Sequence, residues 1–440
     1  RGHGDWPEPD DDFLITQWTK NGWVRGQGIF NKESPCFDKD YSEAIKNMTV
    51  PLITHEIGQY AVYPNLKEID KYTGVLDLLN FKGVRKELEE KGLLHKADDY
   101  MQASGKLAVL LYKEEIERAL KTPGCSGFQL LDLHDFPGQG TALVGLLDAF
   151  WDSKGLIEPA GFRQFCTTVV PLIRYPKATY TNNEACVASV EVANYSNNEI
   201  KNQTAYWKLE NSERKIVAEG KINGVNVSAG QNEKIGNIDC SLKSIGNADE
   251  LTMYVGIEGT DYINSWKVWV YPEILQIEEG SIVVTADFNN AKEALKNGKK
   301  VLFNPPYETL KGLEGKFLPV FWSPVHFPKQ AGTMGILCDP AHKLFADFPT
   351  DIHTDWQWWY LLTQSKTLII DSIYKDIEPI VECVDNFANN RRLATLFETN
   401  CEKGKLVFSS MDLLRGNDSI PEKRQLLYSV VNYMNSNDFN

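Results

Sequence analysis

Long apolar runs are missing from this chain of 440 residues. No segment approaches the roughly 18 consecutive apolar residues that a membrane-spanning helix needs, so we expect no membrane span. An excess of positive charge is missing as well, since 46 Lys and Arg stand against 60 Asp and Glu, a formal net charge of -14. Nucleic acid requires basic side chains that neutralise its phosphates, so we expect no nucleic-acid partner.

Paired cysteines and glycine-rich fingerprints are also absent. The eight cysteines are scattered without a Cys-x-x-Cys pair, which argues against a zinc or redox motif. No Gly-x-Gly-x-x-Gly sequence marks a dinucleotide site. The sequence therefore predicts no metal and no cofactor, and it leaves open whether the cysteines are buried thiols or form a few disulfides.

Aromatic residues, by contrast, are plentiful, with 11 Trp, 18 Tyr and 20 Phe. Such rings fill cores and also stack on the C–H faces of sugars. The length suggests about three domains. The chain opens on Arg1-Gly2-His3-Gly4-Asp5-Trp6-Pro7, with neither an initiator Met nor a signal peptide. We therefore expect it to be a piece of a longer polypeptide or a processed chain.

The first predicted domain, residues 1–163, alternates helix and strand. The apolar run Thr49 to Glu56 predicts a buried strand, and the spacing of apolar residues predicts a helix from Lys96 to Leu120. Residues 127–133 predict the next strand. A strand, a long helix and a strand form a βαβ unit, which implies a parallel sheet.

The second predicted domain, residues 164–274, is all β. Segments of alternating polarity are separated by Asn, Gly and Ser turns at the spacing of a sandwich; they are 187–193, 204–209, 251–257 and 266–271. This pattern predicts an immunoglobulin-like β-sandwich. No catalytic constellation is found in it, so we interpret it as a spacer or packing domain.

The third predicted domain, residues 275–440, alternates again. It has four predicted strands and two predicted helices, at 281–285, 300–305, 366–371 and 405–410, and at 290–297 and 420–434. The pattern is typical of a small doubly wound α/β domain, flavodoxin-like or amidotransferase-like. A nucleophilic Cys338 would need glycines on both sides and a helix start, but Asp339-Pro340 follows it. We interpret Cys338 as a buried thiol and the domain as non-catalytic.

Two aromatic segments of this domain are unusual, Trp356 to Tyr360 and Pro319 to Pro328. They could form a sugar platform or reach the active site of another domain. Interdomain packing is the favoured interpretation, because aromatic residues are enriched at interfaces.

Glu56 is the strongest candidate for a catalytic residue. It closes the strand that begins at Thr49 and is followed two residues later by Gly58. The C-terminal end of a parallel strand is where a barrel enzyme displays its catalytic groups. His55, Gln59, Tyr60 and Tyr63 are near enough in sequence to orient Glu56 or to contact a sugar. The alternative is a Glu that caps the next helix or pairs with a Lys.

A second polar segment follows the next predicted strand. Asp132 and His134 share a face by alternation, and Asp135 begins the loop. We expect these three residues to bind substrate hydroxyls, and we expect Trp151 at the next turn to contact the substrate as well. The alternative is a loop braced by its own Asp side chains.

Several of these segments together resemble one family. The segments Thr54 to Tyr60, Glu68 to Gly74, Asp135 to Gly145 and Phe321 to Pro328, with Tyr63-Pro64, resemble large glycoside hydrolase family 2-like enzymes of Bacteroidetes. The resemblance covers nearly the whole chain. It implies a retaining, β-galactosidase-like glycosidase acting on polysaccharide or oligosaccharide in the periplasm, at the cell surface or outside the cell.

The resemblance also implies a fold and roles for particular residues. The first domain would be the C-terminal part of a (β/α)8 TIM barrel, with Glu56 as the nucleophile at the end of strand seven and Asp132 to Asp135 at the end of strand eight. The family's acid/base Glu follows an Asn, and no Asn-Glu occurs in residues 1–163. We expect that residue upstream of Arg1, in the N-terminal portion of the same enzyme. A non-catalytic carbohydrate-binding or scaffold segment is the alternative.

Overall fold

The computed structural model describes residues 4–139, 141–330, 332–372 and 377–439. The chain forms two compact units, each built from several stretches of sequence. Unit 1 contains residues 1–59, 109–132 and 157–272, and unit 2 contains residues 60–108, 133–156 and 273–440. Residues 1–163 therefore contribute to both units.

The N-terminal region contains five strands and three helices. They are β1 (Leu14–Thr16), β2 (Trp18–Thr19), β3 (Gly22–Trp23), β4 (Leu52–Ile57), α1 (Leu79–Lys91), α2 (Ala97–Lys121), β5 (Cys125–Leu130) and α3 (Pro159–Arg163). In unit 1, β4 lies between β1 and β5 and pairs with both in parallel. The predicted strand–helix–strand unit with its parallel sheet is thus confirmed.

Helix α2 has the sequence features of a long, buried helix. Asp98 and Asp99 lie in its first turn and Arg118 and Lys121 in its last, which suits the helix dipole. On the stretch that belongs to unit 1, Ile116 and Leu120 pack in one apolar cluster that also contains Ile57 of β4 and Leu172. This cluster fixes the strand that carries Glu56 against a helix.

The rest of unit 1 is a β-sandwich, as predicted. Its strands are β6 (Val169–Arg174), β7 (Thr179–Thr181), β8 (Ala185–Asn194), β9 (Ile200–Glu210), β10 (Ile216–Val227), β11 (Gln231–Ser241), β12 (Asp249–Ile257) and β13 (Ile263–Tyr271). Five strands form one sheet in the order β10-β9-β12-β13-β7, and three form the other in the order β11-β8-β6. Val192 and Ala205, from strands of opposite sheets, share one buried cluster with Ile257.

A buried carboxylate joins the sandwich to the helix within unit 1. Glu117 of α2 is fully buried, and it accepts hydrogen bonds from Trp266 Nε1 at 2.8 Å and Asn264 Nδ2 at 2.9 Å. Burial opposes its ionisation, but Lys113 and Lys121 outweigh burial and lower the pKa of Glu117. The charge is therefore retained inside the unit, where its partners are fixed.

Unit 2 contains a mixed sheet of eight strands. The elements from residue 273 onwards are β14 (Val283–Thr285), α4 (Phe288–Lys296), β15 (Lys300–Phe303), β16 (Leu313–Glu314), β17 (Thr333–Cys338), α5 (Trp359–Thr363), β18 (Lys366–Ile369), β19 (Pro379–Asp385), β20 (Leu393–Cys401), β21 (Gly404–Ser409) and α6 (Pro421–Asn435). Strands β14, β15 and β21 are parallel neighbours, and the other pairings are antiparallel.

The antiparallel pairing of β20 with β21 has a simple local cause. Only Glu402 and Lys403 separate Cys401 from Gly404, and Glu402 has φ +55°. A two-residue connection makes a hairpin and is too short for the crossover that parallel strands need. The predicted doubly wound pattern therefore describes β14, β15 and β21 but not β16 to β20.

The aromatic segment Trp356 to Tyr360 packs inside this region. Trp356 stacks on Phe317 at 5.0 Å, and Trp358 makes edge contacts with Phe345 and Phe348. These contacts lie within residues 275–440, and the interdomain packing expected for this segment stays a prediction. Among the described residues, no helix is long and apolar enough to cross a membrane.

Candidate functional site

Glu56 lies at the C-terminal end of the central strand of the parallel sheet in unit 1. Its backbone has φ +51°, and Gly58 and Gln59 follow with φ +88° and +62°. A left-handed conformation is uncommon for residues other than glycine, and it is found disproportionately at functional sites. The side chain of Glu56 is 27% exposed, so a ligand can contact its carboxylate.

The two carboxylate oxygens of Glu56 have different surroundings. Oε2 accepts a hydrogen bond from Nε2 of Gln17, the residue that directly follows β1. Oε1 lies 3.4 Å from Nε2 of His55, beyond the usual range of a hydrogen bond. His55 is itself oriented through Nδ1, which lies 2.7 Å from Oε1 of Gln129 on β5. All three parallel strands therefore contribute to the surroundings of Glu56.

A buried arginine fixes this arrangement from behind. Arg25 is 1% exposed, and its guanidinium donates to Gln17 Oε1 at 2.8 Å and to Gln59 Oε1 at 2.7 Å. Gln17 thus accepts from Arg25 through its oxygen and donates to Glu56 through its nitrogen. Gln59, predicted to contact the sugar, is 3% exposed and bonded to Arg25, which gives it a supporting position.

The loop that follows Glu56 is held by a second buried carboxylate. Glu115 is fully buried and accepts hydrogen bonds from the backbone N–H groups of Gly26 and Gly58. A side chain at Gly58 would place its Cβ 2.2 Å from the ring of Tyr112, so only glycine fits there. Tyr112 in turn donates to the backbone oxygen of Asp132 at 3.0 Å. Asp132 therefore lies in the same unit, beyond the end of β5.

The remaining predicted site residues belong to unit 2. Tyr60 and Tyr63 are 0% and 1% exposed. The hydroxyl of Tyr63 donates to Asn390, and its ring packs on Tyr100 at 5.2 Å. Their burial corrects the expectation that these two tyrosines contact a sugar, because both rings serve the core of unit 2.

Asp135 is part of a buried ion pair. It is 3% exposed, contacts Lys154 at 2.6 Å and accepts from the N–H of Gly145 at 2.8 Å. Burial raises the pKa of Asp135, and Lys154 opposes that effect. The contacts match the alternative in which Asp side chains brace the loop, and they leave Asp135 out of reach of a ligand.

Close to this pair, Glu68 is a buried carboxyl group. It is 0% exposed, and neither of its side-chain oxygens has a hydrogen-bond partner among the described residues. Burial, followed by the charge of Asp135, raises the pKa of Glu68 to about 8, against the opposing effect of Lys154. Glu68 is therefore a neutral acid at pH 7. Burial of Glu68 could not be predicted from the sequence, because the residue lies in a polar stretch, Lys67 to Lys71.

His134 and Trp151 form a stacked pair at the surface of unit 2. Their ring centroids lie 4.5 Å apart with planes 20° from parallel, and Trp151 is 61% exposed at φ +68°. Asp148 holds the turn by accepting from the N–H groups of Phe150 at 2.8 Å and Asp152 at 3.0 Å. The turn thus presents one face of an indole to solvent.

The cysteine thiols and one cluster of acidic and histidine side chains are further candidates for reactive or metal-binding groups. All eight cysteines are free, and burial raises the pKa of Cys338 to about 12, as expected for a packing thiol. Asp351, His353 and Asp355 bring one ligand atom each within 4.8 Å of one another. However, Asp355 already accepts from the N–H of Trp356 at 2.8 Å, and all three residues have further interactions. They therefore contribute to the local structure of this segment.

Two family models match parts of the chain. Residues 283–440 match a family described as "Domain of unknown function (DUF8487)", and residues 184–272 match "Domain of unknown function (DUF8488)". Each match covers less than half of the chain. No curated protein matches.

Solved structures similar to the chain include glycoside hydrolases. An exo-chitosanase from Amycolatopsis orientalis is 15% identical, with a TM-score of 0.34 over 57% of this chain and 31% of that chain. A β-glucuronidase from glycoside hydrolase family 2 is 10% identical, with a TM-score of 0.19 over 30% and 17%. A CARDB domain from Pyrococcus furiosus is 8% identical, with a TM-score of 0.19 over 24% and 93%. The chain spans a third or less of the two enzymes, and similarities of this size define neither its fold nor its function.

Proposed function

We propose that this chain is the C-terminal part of a retaining glycoside hydrolase that acts on polysaccharide or oligosaccharide. One observation carries the proposal. Glu56 stands at the C-terminal end of the central parallel strand, accessible to a ligand, with one oxygen bonded to Gln17. This end of a parallel sheet is where enzymes of barrel and open α/β folds bind their substrates. Strands β1, β4 and β5 would be the last three strands of the barrel.

In this proposal Glu56 is the nucleophile. A retaining glycosidase uses two carboxyl groups about 5–5.5 Å apart, one of which attacks the anomeric carbon while the other protonates the leaving oxygen. The acid/base group is assigned to the N-terminal portion of the enzyme, which would be the partner of this chain.

Trp151 gives the proposal a second candidate contact. Its indole is exposed on one face and supported by His134 on the other, and the turn around it is fixed by Asp148. A rigid, exposed ring suits stacking on the apolar face of a pyranose. We assign Trp151 to sugar binding and His134 to its support. The expected location in the periplasm, at the cell surface or outside the cell stays part of the proposal.

The test is Glu56→Gln in the longest polypeptide that carries this chain, assayed with nitrophenyl glycosides and plant oligosaccharides. The change removes the charge and keeps the shape, so we expect turnover to fall by about three orders of magnitude or more. Glu43→Gln, at a side chain that is 89% exposed in the same unit, is the matched control and should keep the parent's activity. Glu56→Gln activity within about tenfold of the parent would exclude Glu56 as the nucleophile.

The alternative is a non-catalytic carbohydrate-binding or scaffold segment. The exposed Trp151 fits both functions, because stacking needs no reacting carboxylate. An oligosaccharide that binds equally well to the parent and to Glu56→Gln, together with no hydrolysis of any glycoside by the parent, would favour the alternative.

A further inference from the structure

We propose that Gln17, held by Arg25, anchors oxygen Oε2 of Glu56 and thereby makes Oε1 the oxygen that attacks the sugar. This assignment rests on the proposed function. It adds a positioning residue and the direction of attack, neither of which follows from finding a glutamate at the end of a strand.

Arg25 and Gln17 form the anchor, in which each side chain donates a hydrogen bond to the next and the first carries a buried charge. Arg25 cannot lose its proton in a protein and is 1% exposed. Its Nη1 donates to Gln17 Oε1 at 2.8 Å, which leaves the amide nitrogen of Gln17 pointing at Glu56 Oε2. The amide orientation is set by this contact, because Arg25 can only donate. Gln17 must therefore present Nε2, and not its oxygen, to the carboxylate.

The two oxygens consequently differ in availability. Oε2 has a directed donor, whereas among the described residues the polar contact of Oε1 is with His55 Nε2, at 3.4 Å. Nδ1 of His55 is oriented on Gln129, so the ring is kept beside Oε1 without closing a normal hydrogen bond to it. Oε1 is thus the oxygen whose lone pair can reach a ligand.

The chemical step is then defined atom by atom. Oε1 donates an electron pair to the anomeric carbon and forms an ester bond, while the bond from that carbon to the leaving oxygen breaks. Its electron pair leaves with the oxygen, which takes a proton from the second carboxylic acid. Oε2 becomes the carbonyl oxygen of the ester and stays hydrogen-bonded to Gln17. In the second step water attacks the anomeric carbon and gives its proton to the second carboxylate. The bond from that carbon to Oε1 breaks, its electron pair returns to Oε1, and the sugar is released.

The kinetic test is Gln17→Leu in the longest polypeptide that carries this chain, assayed with whichever nitrophenyl glycoside the parent hydrolyses fastest. Loss of one hydrogen bond to a charged group should lower kcat about 10- to 100-fold. KM should stay within about threefold, because Gln17 is not assigned to the sugar. Gln27→Leu is the matched control and should keep the parent's kcat, since within the described part of the chain Gln27 donates only to the backbone oxygens of Gly58 and Gln59.

A third variant separates positioning from simple damage. Gln17→Glu keeps the shape but puts a second carboxylate against Glu56, and two adjacent carboxylates must share a proton. The active form is the one in which residue 17 holds the shared proton and still donates it to Oε2. This form is lost as pH rises, so the kcat/KM optimum should move to lower pH than in the parent. An unchanged pH profile, or a kcat of Gln17→Leu within twofold of the parent, would overturn the positioning role.

Crystallography decides the oxygen assignment directly. The complex trapped with a 2-deoxy-2-fluoroglycosyl fluoride should show Oε1 bonded to carbon and Oε2 within hydrogen-bond distance of Gln17 Nε2. The reverse connectivity would overturn the assignment. A parent that hydrolyses no glycoside would overturn the proposed function and the attack by Oε1. A crystal structure of Gln17→Leu in which the Glu56 carboxylate keeps its orientation would independently disprove the anchoring.

Discussion

Replacing Glu68 by glutamine should remove a proton that folded unit 2 holds at neutral pH. Glu68 is 0% exposed, and its two oxygens have no hydrogen-bond partner among the described residues. Burial and then Asp135 raise its pKa from an ordinary 4.5 to about 8, while Lys154 and Lys71 act in the opposite direction. Ionising this group inside the protein therefore costs stability.

The sign and size of the effect follow from proton linkage. Between pH 4.5 and about 8 the folded state binds this proton and the unfolded state has lost it. The free energy of unfolding should therefore fall as pH rises through that window, by about 1.4 kcal/mol per pH unit. Across the whole window the contribution is about 5 kcal/mol. Below pH 4.5 it is fully present, and above about pH 8 it is lost.

Hydrogen exchange measures the free energy of local opening of peptides that cover residues 66–72, once the exchange rates are corrected for the intrinsic rates. A local measurement suits a protein of several domains. The opening free energy of the parent minus that of Glu68→Gln should decrease by about 1.4 kcal/mol per pH unit between pH 5.5 and 7. A constant packing difference between Glu and Gln does not alter that slope. Glu90→Gln, at a side chain that is 65% exposed, is the matched control and should run parallel to the parent. Parallel curves for the parent and Glu68→Gln would refute the reasoning.

Two further changes test packing. Gly58→Ala should destabilise unit 1 by about 2–4 kcal/mol, because its Cβ would meet Tyr112 at 2.2 Å and φ is +88°. Gly224→Ala, at φ +69° with no atom within 4 Å, should cost only about 1 kcal/mol, and equal exchange protection in the two variants would contradict the steric argument. Cys338→Ala should cost about 1 kcal/mol of packing and leave glycosidase activity unchanged, whereas loss of an amidase or esterase activity would identify a nucleophile.

The elements that the sequence predicted best are those with a strong apolar period. The helix predicted from Lys96 to Leu120 is found at Ala97–Lys121, and the terminal helix predicted at 420–434 is found at Pro421–Asn435. Strands β10 and β11 were missed because most of their residues are exposed or half-buried, so their sequences lack an apolar alternation. Their pairing depends on the neighbouring strands β9 and β8, which local sequence does not reveal.

Strands β19 and β20 were missed for a different reason. Nearly all residues of β19 and the first five of β20 are buried, so period-two alternation is absent. Such apolar runs do not distinguish a strand from a buried helix. The run from Leu393 to Phe397 was a usable signal, since it is short and precedes a polar stretch ending in a two-residue turn.

For the candidate site, the sequence identified the residue that we propose as the nucleophile but not the residues that hold it. Glu56 was identifiable because a carboxylate at the end of an apolar strand has a positional meaning. Gln17 and Arg25 lie 39 and 31 residues before it and belong to no motif, and their roles arise only when β1 pairs with β4. The positions of Tyr60 and Tyr63 were misjudged, because closeness in sequence to Glu56 does not show which way a side chain points once the strand has ended.

The buried carboxyl groups could not be predicted either, because the sequence does not show which partners the fold brings to them. Glu68, Glu115 and Glu117 all lie in charged stretches of sequence, where a solvated helix face is the usual outcome. Glu115 and Glu117 accept hydrogen bonds from donors in other segments, from Gly58 N–H at 2.6 Å for Glu115 and from Trp266 Nε1 at 2.8 Å for Glu117. Glu68 has no such donor and retains a proton instead. Burial alone therefore does not decide the charge of a carboxyl group; the donors that the fold brings to it do.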